Sequence, residues 1–69
     1  MTDTRLLEDY ISKSGYKKSF IADKLRLTTY GFMLKVKGNS EFKSNEIVSL
    51  CELLNIDEKE MVKIFLARK

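Results

Sequence analysis

The 69-residue chain has no histidine, no proline, a single cysteine and three glycines. Without histidine it lacks the commonest general base and the commonest metal ligand. A zinc finger fails on ligand count, and Ser-His or Cys-His nucleophilic pairs are impossible. With no Gly-rich phosphate loop and too little chain to enclose a pocket, an enzyme is a remote reading. No catalytic residue, metal ligand or cofactor is expected. One cysteine forbids an internal disulfide, which fits a reducing cytoplasm. No apolar run approaches the roughly 18 residues of a membrane span. The opening MTDTRLLEDY carries acidic residues and no apolar h-region, so no signal peptide is expected and the localisation read is cytoplasmic.

What is present is 43% hydrophobic and 33% charged residues, the balance of a globular chain. The length allows one domain, 1–69, burying about 60% of its unfolded surface, so the core is small and a dimer or ligand could add stability. The net charge of +3 is unevenly placed. Residues 17–43 hold seven Lys or Arg against two acidic residues, a net of +5, and each flank is −1.

There is no repeat and no low-complexity linker, and the periodicity predicts about five helices. Thr4 or Asp3 caps the first, with Leu6, Leu7, Tyr10 and Ile11 on one face and Gly15 closing it. A second runs from about Lys17 to Leu25 with Phe20, Ile21, Ala22 and Leu25 apolar, followed by the turn Arg26-Leu27-Thr28. Thr28 is a good N-cap for a third, Thr29 to about Lys37, ended by Gly38. Phe42 in the loop 39–43 plugs the core. Ser44 caps a fourth helix with Ile47, Val48, Leu50, Cys51 and Leu54 inward, and Asn55 ends it. Asp57 and Glu60 form a capping box for a fifth helix carrying Met61, Ile64 and Phe65. MVKIFLA is β-compatible, but the box favours helix. Cys51 reads as a small buried hydrophobe, and Tyr10 and Tyr16 as core rim with hydroxyls in water.

Small Ala22 lets helices two and three approach closely, and Leu25, Leu27 and Phe32 form the wedge between them. With Val36 and Gly38 this spacing resembles the helix-turn-helix of the phage Cro and repressor family, the xenobiotic-response-element-like class of small regulators. The strongest stretches are FIADKLRLTT, KVKGNSEFKSNEI and LCELLNID, and the likeness covers Arg5 to Phe65. It implies an all-α, compact five-helix, lambda-repressor-like DNA-binding domain with the helix-turn-helix at helices 2 and 3, commonly a dimer on operator DNA. Two positions depart from the family pattern. Arg26 stands where glycine is usual, and a left-handed Arg26 would cost about 1 kcal/mol or more. The third helix reads Thr29, Tyr30, Gly31, Phe32, Met33, Leu34, Lys35, where the family is generally polar.

The resemblance implies phosphate contacts at Lys18 and Ser19, and phosphate or first base edges at Thr28 and Thr29. Tyr30, Met33 and Leu34 would face the major groove, where Met and Leu can pack only on thymine methyls. Lys35 is the best candidate for guanine O6/N7, with Lys37 toward one strand. Asn39, Ser40 and Lys43 add phosphate contacts. The expected function is a transcriptional regulator reading a double-stranded DNA operator with strong salt dependence. The alternative is an antirepressor or modulator that uses the same fold to bind another regulator protein, through apolar Tyr30, Met33 and Leu34. Met61, Phe65 and Leu66 of helix five, with Leu53, are candidates for a homodimer surface, the other reading being a wider core stripe.

Overall fold

A computed structural model describes residues 2–66 and is all-helical over them: α1 (Thr4–Ser14), α2 (Lys18–Lys24), α3 (Thr29–Val36), α4 (Ser44–Leu54) and α5 (Glu58–Phe65). Three of the five starts are fixed by a side-chain oxygen taking an otherwise orphaned amide. Asp3 Oδ1 accepts from Leu6 N–H at 3.1 Å, Thr28 Oγ1 from Gly31 N–H at 3.0 Å, and Asp57 Oδ1 from Glu60 N–H at 2.8 Å. At α4 the N-cap is Lys43, one residue before the predicted Ser44, and the satisfied donor is Lys43's own amide, bonded to Glu46 Oε1 at 2.8 Å. Glu60 does not complete the predicted reciprocal box. Its carboxylate takes the Tyr10 hydroxyl at 3.2 Å and Lys63 at 3.1 Å, so Tyr10 is tied to α5 rather than to water.

Three helix ends share one closing device. After α2, Leu27 N–H bonds Ala22 O at 2.9 Å and Arg26 N–H bonds Asp23 O at 3.0 Å, with Arg26 left-handed at φ 60. After α3, Asn39 N–H reaches Leu34 O and Gly38 N–H reaches Lys35 O, with Gly38 at φ 84. After α4, Ile56 N–H reaches Cys51 O across Asn55 at φ 57. These are Schellman-type ends, which cap the last carbonyls at the cost of one left-handed residue.

The helices pack α2 on α3 and α4, and α1 on α3, α4 and α5. Phe32, Leu7, Ile21, Leu50, Ile64 and Val36 are fully buried at the centre. Ala22 and Leu25 are buried and Leu27 half-buried in the same apolar core as Phe32. Phe42 stacks edge-on against Phe32 and Phe65, with centroids 6.2 and 5.5 Å apart, and so plugs the core from its loop.

Three apolar side chains sit elsewhere than the sequence suggests. Phe20 is 41% exposed on the opposite side of α2 from Ile21, Ala22 and Leu25. It packs on Tyr16, centroids 5.0 Å apart, under Lys24 Nζ at 5.3 Å. Val48, expected inward, is exposed because it lies about 120° around α4 from Leu54 in the middle of the buried stripe. Phe65, a candidate for the dimer surface, is core at 5% exposure, since it continues the stripe of Met61 and Ile64. No helix among the described residues is long and apolar enough to cross a membrane.

Candidate nucleic-acid interface

The buried side of α3 is Phe32, Lys35 and Val36. A turn of about 100° per residue then puts Tyr30, Leu34 and Lys37 on the opposite side, with Met33 at its edge. Tyr30 is 73% exposed, Lys37 is exposed, and Met33 and Leu34 are half-buried. Thr28 and Thr29 at the start of the helix are exposed, and helix geometry leaves the amides of Thr29 and Tyr30 without an intrahelical partner. The Thr28 hydroxyl accepts from Gly31 and keeps its proton free to donate. A Cβ at Gly31 would lie 3.0 Å from Thr28 Oγ1, so any other residue there needs the capping hydroxyl to give by a few tenths of an ångström. Beyond α3, Asn39, Ser40 and Lys43 are all exposed, as is Ser19 on α2.

Lys35 is a correction. It is 9% exposed, and its ammonium is 2.6 Å from Glu46 Oε1, so it is turned away from the exposed face and cannot serve as the guanine reader the sequence suggested. Burial alone would raise the Glu46 pKa, but the Lys35 ammonium and the Lys43 amide outweigh it and hold the carboxyl below its ordinary 4.5. Lys18 is also engaged, since its ammonium lies 3.1 and 3.2 Å from the two carboxylate oxygens of Glu8 on α1. The two side chains are 39% and 44% exposed, so the pair is open enough to water for a phosphate to compete for Lys18.

These partners change the electrostatics of the basic segment. Two of its seven cations are matched by carboxylates from outside it, Glu8 and Glu46. Lys17, Lys24, Arg26, Lys37 and Lys43 remain exposed. Glu46 and Glu8 were not singled out from the sequence. A signal for Glu46 existed: Lys35 lies about 60° from Phe32 on the core side of α3, so a buried lysine there requires an acidic partner.

On α4 and α5 and just after α5, Leu66 is 61% exposed, Val62 is exposed, and Leu53 and Met61 are half-buried against the core. Cys51 is buried, and burial pushes its thiol pKa upward. Among the described residues no group of His, Cys, Asp and Glu is arranged to hold a metal. Comparison with known proteins gives no match, whether to a family model, a curated protein or a solved structure.

Proposed function

We propose that the chain is a DNA-binding regulator of the helix-turn-helix type, with α2 and α3 as the motif and α3 entering the major groove. The observation that carries this reading is the exposed outer side of α3, reached through a tight capped turn from α2, with Lys37 on that side and Lys43, Asn39 and Ser40 exposed in the loop after it. Such an arrangement offers cations and hydroxyls for phosphate and an apolar strip for base edges. Thr28 and Thr29 are the hydrogen-bonding groups at the helix start. Tyr30, Met33 and Leu34 can pack on thymine methyls, so the preferred sites are A·T-containing. Leu66, with Met61 and Leu53, is the surface for a homodimer under this reading.

The test is selection of bound duplexes from a random pool, followed by a titration of the selected site over salt. Three to five phosphate contacts per chain predict a log–log slope of about −3 to −5. A palindrome with half-sites about 34 Å apart would report a dimer, and a lone half-site a monomer. No binding to any duplex at low salt would sink the reading. One observation favours a second: a tyrosine 73% exposed beside Met33 and Leu34 suits a protein interface as well as a groove, and in that case the partner is another regulator.

A further inference from the structure

Lys35 and Glu46 are the buried charged residues of the described chain, and their contact joins the DNA-facing helix to the next one. One oxygen, Glu46 Oε1, takes both the Lys35 ammonium at 2.6 Å and the Lys43 amide at 2.8 Å. The second of these bonds fixes the carboxylate to the N-terminal turn of α4, so the first fixes α3 to the same point. α3 is only eight residues long and buries two apolar anchors, Phe32 and Val36, one turn apart along nearly the same line. Two anchors on one line leave a short helix free to roll about that line. Lys35 lies about 60° to the side of Phe32 and supplies the off-axis restraint.

An apolar side chain of similar length would fill the same space without the desolvation cost of two charges, and replacing buried ion pairs in this way is often neutral or stabilising. What a methionine would not supply is direction. A rolled α3 would move Tyr30 and Leu34 across the groove while leaving the exposed cations on other elements where they are.

Resting on the DNA-binding reading, we propose that Glu46, acting through Lys35, is a positioning residue for α3. The pair sets sequence discrimination, and neither residue touches DNA. It follows that discrimination and non-specific affinity are separable in this protein.

The experiment compares the parent chain with Lys35→Met and with the double variant Lys35→Met/Glu46→Gln. The double variant keeps the parent's net charge and an oxygen for the Lys43 amide, so it retains a folded, charge-matched protein where the single variant leaves a buried carboxylate alone. Affinity is measured by fluorescence anisotropy for the selected duplex and for a scrambled duplex, each over a range of salt, with helix content checked by circular dichroism. Loss of one base-pair reading predicts that the selected-to-scrambled ratio falls about tenfold in the double variant. Its affinity for the scrambled duplex stays within about twofold of the parent, because the phosphate contacts are intact. The salt slope of Lys35→Met matches the parent. A folded double variant with the parent's ratio overturns the proposal. So does a Lys35→Met slope shallower by about 0.9, which would put Lys35 on a phosphate. A parent that binds neither duplex removes the DNA-binding reading, and this inference with it, before any variant is measured.

Discussion

Arg26 is held at φ 60 at the end of α2, a conformation that a side chain makes costly. Left-handed backbone costs an L-residue about 1–2 kcal/mol, and glycine adopts it freely but loses about 0.5–1 kcal/mol more chain entropy on folding. Arg26→Gly is therefore expected to stabilise the domain by about 0.5–1 kcal/mol. Arg26 is exposed and makes no ion pair among the described residues, so little packing is lost to offset the gain. For a chain of this size that is a rise in Tm of roughly 2–8 °C. Thermal melts followed by circular dichroism, with urea titration as a second measure, would read it. Two substitutions at the matching turn positions set the scale. Asn55→Gly relieves a milder strain, since asparagine tolerates φ 57, and should gain less. Gly38→Ala should lose about 1–2 kcal/mol, because φ is 84 and the new Cβ would lie 3.3 Å from Thr4 Cγ2. A Tm for Arg26→Gly equal to or below the parent's, with helix content unchanged, would refute the strain account of this turn. Under the proposed DNA-binding reading, the same variant should bind duplex DNA with a slope shallower by up to about 0.9, which would explain a strained arginine at this place as a phosphate contact.

Two further outcomes follow from the buried groups. Glu46 titrates below its ordinary 4.5 when folded, so the stability it contributes is present above that value and is lost as pH falls through the lowered one. Urea titrations should show Glu46→Gln about 2–4 kcal/mol less stable than the parent near neutrality, with the gap closing as pH falls below 4.5 through the lowered value; a gap independent of pH would mean that the carboxylate charge is not the stabilising feature. Cys51 is buried with its thiol pKa raised, so a thiol-specific reagent should label the native protein only at the rate of its opening and label it quickly in denaturant. Rapid labelling of the native chain would place Cys51 at the surface.

Helix positions were legible in the sequence because they rest on local chemistry. Asp3, Thr28 and Asp57 take amides within three residues, and Gly15, Gly38 and Asn55 supply the left-handed ends. The loop aromatic Phe42 was legible for a related reason: an apolar ring in a polar loop of a small domain has only the core to enter. Residue type is a weaker guide than helical angle at four positions. Phe20 and Val48 are apolar yet exposed, because Phe20 stands about 100° from Ile21 at the edge of α2's buried stripe and Val48 about 120° from Leu54 in the middle of α4's. Phe65 is core rather than partner surface because it falls on the stripe of Met61 and Ile64, and Lys35 is turned inward because it falls beside Phe32. Helical angle decides all four placements, whereas residue type alone misplaces Phe20, Val48 and Lys35.

Charge along the chain is less informative than charge in space for a related reason. Counting residues 17–43 gives +5, but Glu8 comes from α1 and Glu46 from α4, and each meets a lysine of the segment. The two lysines so held differ in what they can still do. Lys18 shares an exposed pair with Glu8, where phosphate and carboxylate compete on similar terms and the outcome depends on salt. Lys35 shares a buried pair, where its release would strand Glu46 without a partner. One is a tunable contact and the other a fixed strut. With Lys35 committed to the interior, the hydrogen bonds α3 can offer to base edges come from Thr28, Thr29, the Tyr30 hydroxyl and Lys37. Leu34 and Met33 between them can read only shape and methyl groups. Under the proposed DNA-binding reading, a protein so equipped would discriminate by how accurately its helix is seated more than by how many donors it carries, and the geometry of the Lys35–Glu46 contact would then matter more than its charge.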